Sequence, residues 1–319
     1  MLCLTDGSDF AGELTDRPEE VVAVDSLPPA DRELWLLLHG GPRVTVVRPP
    51  PPVAFWSRLV LVERAPHSPF DVLAEATANG FVLPGPVAVV AGTCPQLRGF
   101  HGRKWESEPG NLHLSAAIPL DGWPAETALS LVLVPTLAAR DAIITASAGT
   151  VSPRIKWVND LYVEGGKAGG VLIQTAIEGA RAVLLLVGIG VNVQSAPAIR
   201  PTPFVPWAEA AGGMDLDVLL QETLSSLERR LKEALASGFR EMRDEYRAAS
   251  NVIGRRVRVY ADAVADHDPP DTWPPPLAAG VVLDIRDDLS LVIAGAPEPV
   301  RNGRLAFEAD CHAFGLPHL

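Results

Sequence analysis

GGVLIQTAIEGARAVLLLVGIGVNV, residues 169–193, consists of two apolar runs parted by the turn-forming pair Glu178 and Gly179. Each run is long enough for a strand. The break between them is far too short for the crossover that a parallel pair requires, so the stretch reads as an antiparallel hairpin. Just upstream, RIKW (154–157) predicts a third strand, joined to the hairpin by turn residues. Working outward, FWSRLVLVE (55–63), GPVAVVAG (85–92) and NLHLSAAIPL (111–120) read as further strands. DVLAEATANG (71–80) reads as a helix stopped by glycine. ETALSLVLVPTLAARDAIITASAG (126–149) carries helical spacing, broken or kinked at Pro135 and ended by Gly149. Helices mixed with hairpins predict an α+β domain on a mixed sheet with flanking helices, not a doubly wound one.

That domain is expected over residues 53–250. Its last part, DLDVLLQETLSSLERRLKEALASGFREMRDEYRAAS (215–250), is a long amphipathic helix with Leu216, Leu219, Leu220 and Leu227 on its stripe. Asp215 is its expected cap and Gly238 its interruption. Beyond it the pattern changes to short alternating strands, IGRRVRVYA, AAGVVLDI and LSLVIA, around the proline-rich DHDPPDTWPPP. Residues 252–319 therefore predict a small β-barrel-like domain. Residues 1–47 are expected as a short separate piece, with one helix in DRELWLLLHG and one strand in RVTVV, cut off by the RPPPP run. One weak helix and an excess of acid do not make a DNA-reading unit.

The chain of 319 residues has 27 Lys and Arg against 39 Asp and Glu, a net charge of −12 that repels nucleic-acid backbones. Its three cysteines, Cys3, Cys94 and Cys311, are dispersed and odd in number, against a disulfide framework or zinc site. The acidic N-terminus lacks the order of a signal peptide, and the longest apolar run falls short of a membrane span. A soluble cytoplasmic protein is expected.

Three stretches carry candidate chemistry. CPQLRGFHGRKWESEPGNLHLS (94–115) sets Arg98, Arg103 and Lys104 among Gly99 and Gly102, between two strands. Glycines admit a ligand close to the backbone, and the cations suit phosphate or carboxylate. KWVND (156–160) ends in an amide and an acid, and Lys167 follows alone in GGKAGG (165–170). GIGVN (188–192) puts bare backbone beside an amide at the end of a strand. Each has an ordinary reading as well: a solvated basic turn, an Asx turn with a surface lysine, an edge bulge.

In order and spacing, however, GRKW…GNLHLS, KWVNDLYV…GKAGG and GIGVNV resemble the three signatures of the biotin–protein ligases, within the biotin/lipoate A/B protein ligase superfamily. The resemblance spans about residues 60–195. Further on, IGRRVRVY…AAGVVLDI…LSLVI is similar to that family's C-terminal SH3-like domain. It implies a class II synthetase-like ligase domain followed by an SH3-like barrel. It implies ATP, Mg²⁺ and biotin as reactants, with biotin's carboxylate attacking the α-phosphate of ATP and a carrier-domain lysine then taking the acyl group. By the same resemblance Lys167, Arg103 and Lys156 are catalytic. Arg98, Gly99, Gly102, Trp105, Asn159, Asp160, Gly169, Gly170, Gly188, Gly190, Asn192 and Ser68 hold the ligand, and Asp160 also meets the metal.

The sequence departs from the family at four places. Phe100 and His101 replace loop arginines, Cys94 stands for a glutamine that contacts biotin, and Pro69 for a threonine. These erode ring recognition more than the nucleotide half. A lipoate or octanoate ligase or transferase of the same fold, and a non-catalytic protein binding biotin or an acyl-adenylate, therefore stand as alternatives. The expected partner is a biotin carboxyl carrier domain or similar carrier lysine domain, with no nucleic acid and no membrane. Unpaired sheet edges are available for homodimerisation.

Overall fold

The computed structural model describes residues 1–15, 18–47, 55–99, 102–198, 202, 204–205, 208–210, 214–264, 268 and 272–313. Among them ten strands form one mixed sheet: β1 (Leu2–Thr5), β2 (Pro18–Ala23), β3 (Arg43–Val47), β4 (Arg58–Arg64), β5 (Val87–Thr93), β6 (Leu112–Pro124), β7 (Arg154–Lys156), β8 (Asp160–Val163), β9 (Gly166–Glu178) and β10 (Arg181–Val191). Their order is β2-β3-β1-β4-β5-β6-β10-β9-β8-β7. The β1–β4 and β4–β5 pairs are parallel. The expected hairpin is present as β9–β10, antiparallel, paired from Gly169–Val191 to Glu178–Arg181 with a register shift between Ala182 and Leu184.

Both faces of the sheet centre are covered. Leu59 and Leu61 of β4 and Ala88 and Val90 of β5 belong to the larger core. Val60, Val62, Val89 and Ala91 point the other way, into a second core with Phe70 and Leu73 of α3 (Pro69–Ala78) and Leu34 and Trp35 of α2 (Pro29–Leu38). Burial on both sides is why these strands read as unbroken apolar runs. The larger core is roofed by α4 (Leu133–Ala146) and α5 (Leu216–Ser237). Arg230 of α5 fastens these to α6 (Arg240–Ala249) through Asp141 at 2.7 Å and Glu245 at 2.7 Å. On β6 the alternation separates Leu112, Leu114 and Ala116, which face this roof, from His113 and Ser115 on the opposite face.

Three expectations change. Residues 1–47 do not stand apart: β1 pairs with β4, and β2 and β3 extend the same sheet, with α1 (Asp9–Leu14) packed against it. Four-residue β1 is too short to show a period, which hid the connection. Pro135 does not break α4, because it lies in the first turn, where its missing N–H has no intrahelical acceptor to lose. Asp215 sits at the N-cap of α5, but its side chain makes no capping hydrogen bond there.

The C-terminal part is a four-stranded antiparallel sheet, ordered β13-β12-β11-β14, from β11 (Arg256–Tyr260), β12 (Ala278–Ile285), β13 (Leu291–Ile293) and β14 (Arg304–Phe307), followed by α7 (Glu308–Ala313). Val257, Val282, Ile285 and Phe307 share the larger core, and the Trp157 indole N–H donates to the Leu289 carbonyl at 2.7 Å. The turn before β14 thereby reaches the open face of β6, β9 and β10, where the cleft lies.

Candidate functional site

The cleft is floored by the sheet itself. Register aligns Asp160, Gly170, Gly190 and His113 in one cross-strand row over β8, β9, β10 and β6, with Leu172, Gly188 and Ser115 in the next. Directly paired residues share a face, so both rows face the cleft. Two neighbouring positions of the first row carry no side chain, and what lies over them explains why. A Cβ on Gly170 would come within 3.2 Å of Lys167 Cε and 3.4 Å of Asp160 Oδ1. A Cβ on Gly190 would lie 2.5 Å from Trp105 Cζ2, so the indole rests on bare backbone. Gly188 is different: its Cβ would meet Phe70 and Leu172 at an ordinary 3.5 Å.

Lys167 and Asp160 form an ion pair of 2.7 Å, their side chains 14% and 21% exposed, low enough to be held and high enough to meet a ligand. The Lys167 ammonium stands 5.4 Å from the Trp105 ring centroid. Arg98, Gly99 and Arg103 line the same cleft from a tight loop. There Gly99 N–H donates to Arg103 O at 2.7 Å and Gly102 N–H to Gly99 O at 3.2 Å, with Gly102 at φ 72°. Arg98 is 3.4 Å from Asp71 in the first turn of α3. Ser68 caps that helix, accepting from Asp71 N–H at 3.3 Å, and Pro69 takes the first helical position, which suits proline. Phe100 and His101 lie outside the described residues.

Electrostatically the cleft inverts the chain. Arg98, Arg103, Lys104, Lys156, Lys167, Arg301 and Arg304 line it, against Asp160 as the acid among the described lining residues. In a protein of net charge −12 such a concentration of cations suits an anion, with Arg98, Lys104 and Arg301 also paired to Asp71, Glu106 and Asp288 beside the cleft. Arg301 comes from the turn before β14 and Arg304 from its first position, and neither was foreseen from the sequence.

Other expected residues make contacts within the protein. The Lys156 ammonium is buried, donating to the Phe204 carbonyl and, at 3.2 Å, to the Tyr162 hydroxyl. Burial pulls its pKa down to about 8, with Asp160 opposing the shift. Asn159 lines the cleft, yet its amide donates to the Val171 carbonyl and knits β8 to β9. Gly169, Gly102 and Asn192 do not line the cleft. Gly169 allows backbone contact, since a Cβ would sit 2.8 Å from Gly190 O, and the Asn192 amide donates to Ala208 O at 3.3 Å. Cys94 is a buried thiol with pKa raised by desolvation, and its backbone N–H and C=O both pair with Ser107 Oγ.

Two residues of the GNLHLS stretch were missed. Asn111 Oδ1 accepts from the N–H groups of Val193, Gln194 and Ser195 at 2.8, 3.1 and 3.3 Å, anchoring the end of β10. His113 is buried in the cleft wall, on the face that period-two alternation from Ser115 would have assigned to it.

Residues 96–192 match the biotin/lipoate A/B protein ligase family. The chain is 28% identical over 228 residues to a biotin–[acetyl-CoA-carboxylase] ligase of Paracoccus denitrificans, covering 70% of this chain and 90% of that one. It is 29% identical over 218 residues to the ligase of the same name from Mycobacterium tuberculosis, covering 64% and 75%. Among solved structures it is similar to the biotin protein ligase of Aquifex aeolicus in complex with biotin and ATP. The TM-score is 0.58 at 19% identity, over 79% of this chain and 98% of that one, a likeness of fold. Among the described residues no helix is long and apolar enough to cross a membrane.

Proposed function

We propose that the chain is an ATP-dependent biotin–protein ligase, a reading supported by the match of residues 96–192 to the biotin/lipoate A/B protein ligase family. The observation that carries this reading is the Lys167–Asp160 pair on the bare Gly170 backbone, inside a cleft whose other charges are cations. Joining a carboxylate to a nucleotide phosphate brings two anions together, and fixed cations lower that barrier most where charge develops.

A biotin carboxylate oxygen attacks the α-phosphorus of ATP, the bond to the bridging oxygen breaks, and pyrophosphate departs, leaving biotinyl-5′-AMP. Lys167 faces the α-phosphate and Asp160 holds its ammonium there. Arg98 and Arg103 bring further positive charge to the phosphates from the glycine-bearing loop. Trp105 on Gly190 forms the flat apolar wall beside them. A carrier-domain lysine amine then attacks the acyl carbon, and AMP leaves.

Mg²⁺ fits this site as a companion of ATP. Asp160 is the carboxylate available, and no cluster of three metal-ligating side chains occurs among the described residues. Mg²⁺ is commonly held by one carboxylate with substrate phosphates and its own waters. When bound it neutralises phosphate charge, and Asp160 is the residue that would hold it.

Lys156, expected to be catalytic, is read instead as a positioning residue, its ammonium spent on Phe204 and Tyr162. We read residues 53–250 as the catalytic unit, extended by the strands of 1–47, and 252–319 as an SH3-like unit whose turn closes one side of the cleft. A biotin carboxyl carrier domain is the acceptor this reading requires. Incubating the protein with ATP, Mg²⁺, biotin and such a domain gives a biotinylated carrier lysine. No labelled carrier, with a known ligase active in parallel, would remove the reading.

A further inference from the structure

Of the polar groups in the cleft wall, His113 has a ring nitrogen that the protein does not use. Its Nδ1 lies 3.3 Å from both the Ala91 and the Gly92 carbonyl oxygens. Carbonyl oxygens only accept, so Nδ1 carries the proton and Nε2 presents a lone pair. Nε2 is buried and has no hydrogen-bond partner, while the residue as a whole is 5% exposed and lines the cleft. Burial pulls the imidazole's pKa down to about 4, although both carbonyl contacts oppose the shift, so the ring is neutral at pH 7.

Position gives this acceptor its meaning. His113 ends the row that begins at Asp160, three strand spacings away, about 14 Å at ~4.8 Å per step. An acid whose carboxylate meets Lys167 places its tail at the His113 end, beside Phe70 and Leu172. There the neutral acceptor is left unsatisfied unless the tail brings an N–H. Cys94, standing where the family's glutamine contacts biotin, is a protonated thiol and a weak acceptor.

We propose that His113 selects the acyl substrate, its Nε2 accepting a hydrogen bond from a ring N–H of a cyclic urea. A dithiolane or a plain alkyl tail has no such donor and leaves the buried nitrogen unpaired. Sites built around a hydrogen bond reject analogues that lack it far better than apolar pockets reject extra size. His113 therefore compensates for Cys94 and separates biotin from lipoate on this chain. The inference rests on the ligase reading of the cleft.

The test is titration calorimetry of the full chain with biotin, desthiobiotin and lipoic acid. The wild type binds biotin and desthiobiotin, which share the urea, and binds lipoic acid at least about tenfold more weakly. His113→Phe loses about 10- to 100-fold in affinity for both urea compounds and none for lipoic acid, while His113→Gln, whose amide oxygen also accepts, recovers part of the loss. Should His113→Phe fail to fold, ¹⁵N-histidine NMR on the wild type reads the same contact. The Nε2 resonance moves upfield with biotin and stays with lipoic acid. Unchanged biotin affinity in folded His113→Phe, or an Nε2 resonance indifferent to biotin, overturns the role of His113 and leaves the ligase reading standing. A wild type that binds no urea compound overturns both.

Discussion

Lys156 offers a quantitative check on how the cleft is held. Its ammonium is fully buried between Phe204 O and the Tyr162 hydroxyl, with the Tyr162 and Phe307 ring centroids at 5.3 and 5.6 Å. Desolvation lowers its pKa from 10.5 to about 8 in the folded protein. Between those two values the unfolded chain binds a proton that the folded chain has released, so stability rises with pH across the window. A gap of about 2.5 units at 1.36 kcal/mol each gives about 3 kcal/mol in full, most of it gained by pH 10. Tyr162 and Tyr246, whose pKa values burial raises, act oppositely above that range, so the measurement stops at pH 10. The perturbation is Lys156→Met, which keeps the stem, removes the charge and leaves Phe204 O its bond from Tyr162 at 3.1 Å. Urea unfolding of wild type and variant at half-unit steps from pH 7 to 10 gives the difference in stability. It moves in favour of the wild type by about 2–3 kcal/mol over that range. A difference that is flat with pH would show the amine to be solvated and the pinning of Phe204 to be wrong. The variant also retains adenylate formation, since the amine points at protein acceptors.

Two further outcomes follow from the geometry. Gly190→Ala forces the Trp105 indole off the floor, since its Cβ would lie 2.5 and 2.6 Å from two ring carbons. It is expected to cost about 1–3 kcal/mol and to shift tryptophan emission. Gly188→Ala, at ordinary contact distances, does neither, and equal effects of the two in thermal melts would contradict the assignment. Asn111→Ala strips three N–H groups of their acceptor and lowers stability by about 2–4 kcal/mol in urea denaturation. A shift below 0.5 kcal/mol would deny it the role of a clamp.

The sequence carried the hairpin and the Lys167 corner because each is local. An apolar run broken by two turn residues has few ways to pair, and glycines around one lysine are visible without any fold. What it hid depends on partners far along the chain. Residues 1–47 seemed separate because β1 has four residues, and it is the parallel pairing with β4 that joins it to the rest of the sheet. Lys156 is expected to be catalytic from its place in the KW pair, and we read it instead as a positioning residue. Its acceptor, Phe204, lies 48 residues away, in a stretch with no readable period. His113 was passed over because an alternating strand shows which face a residue takes, not whether that face is covered. Arg301 and Arg304 reach the cleft only because the C-terminal sheet shares its core with the large one.

The central claim is that Lys167, steered by Asp160, meets the α-phosphate of one bound acyl-nucleotide. Its most direct test is rapid-quench mass spectrometry of wild type and Lys167→Ala after mixing with ATP, Mg²⁺ and biotin. The wild type yields enzyme-bound biotinyl-5′-AMP, and Lys167→Ala forms it at least about 100-fold more slowly while melting at a similar temperature. Biotinyl-5′-AMP appearing at equal rates in both proteins would contradict the claim.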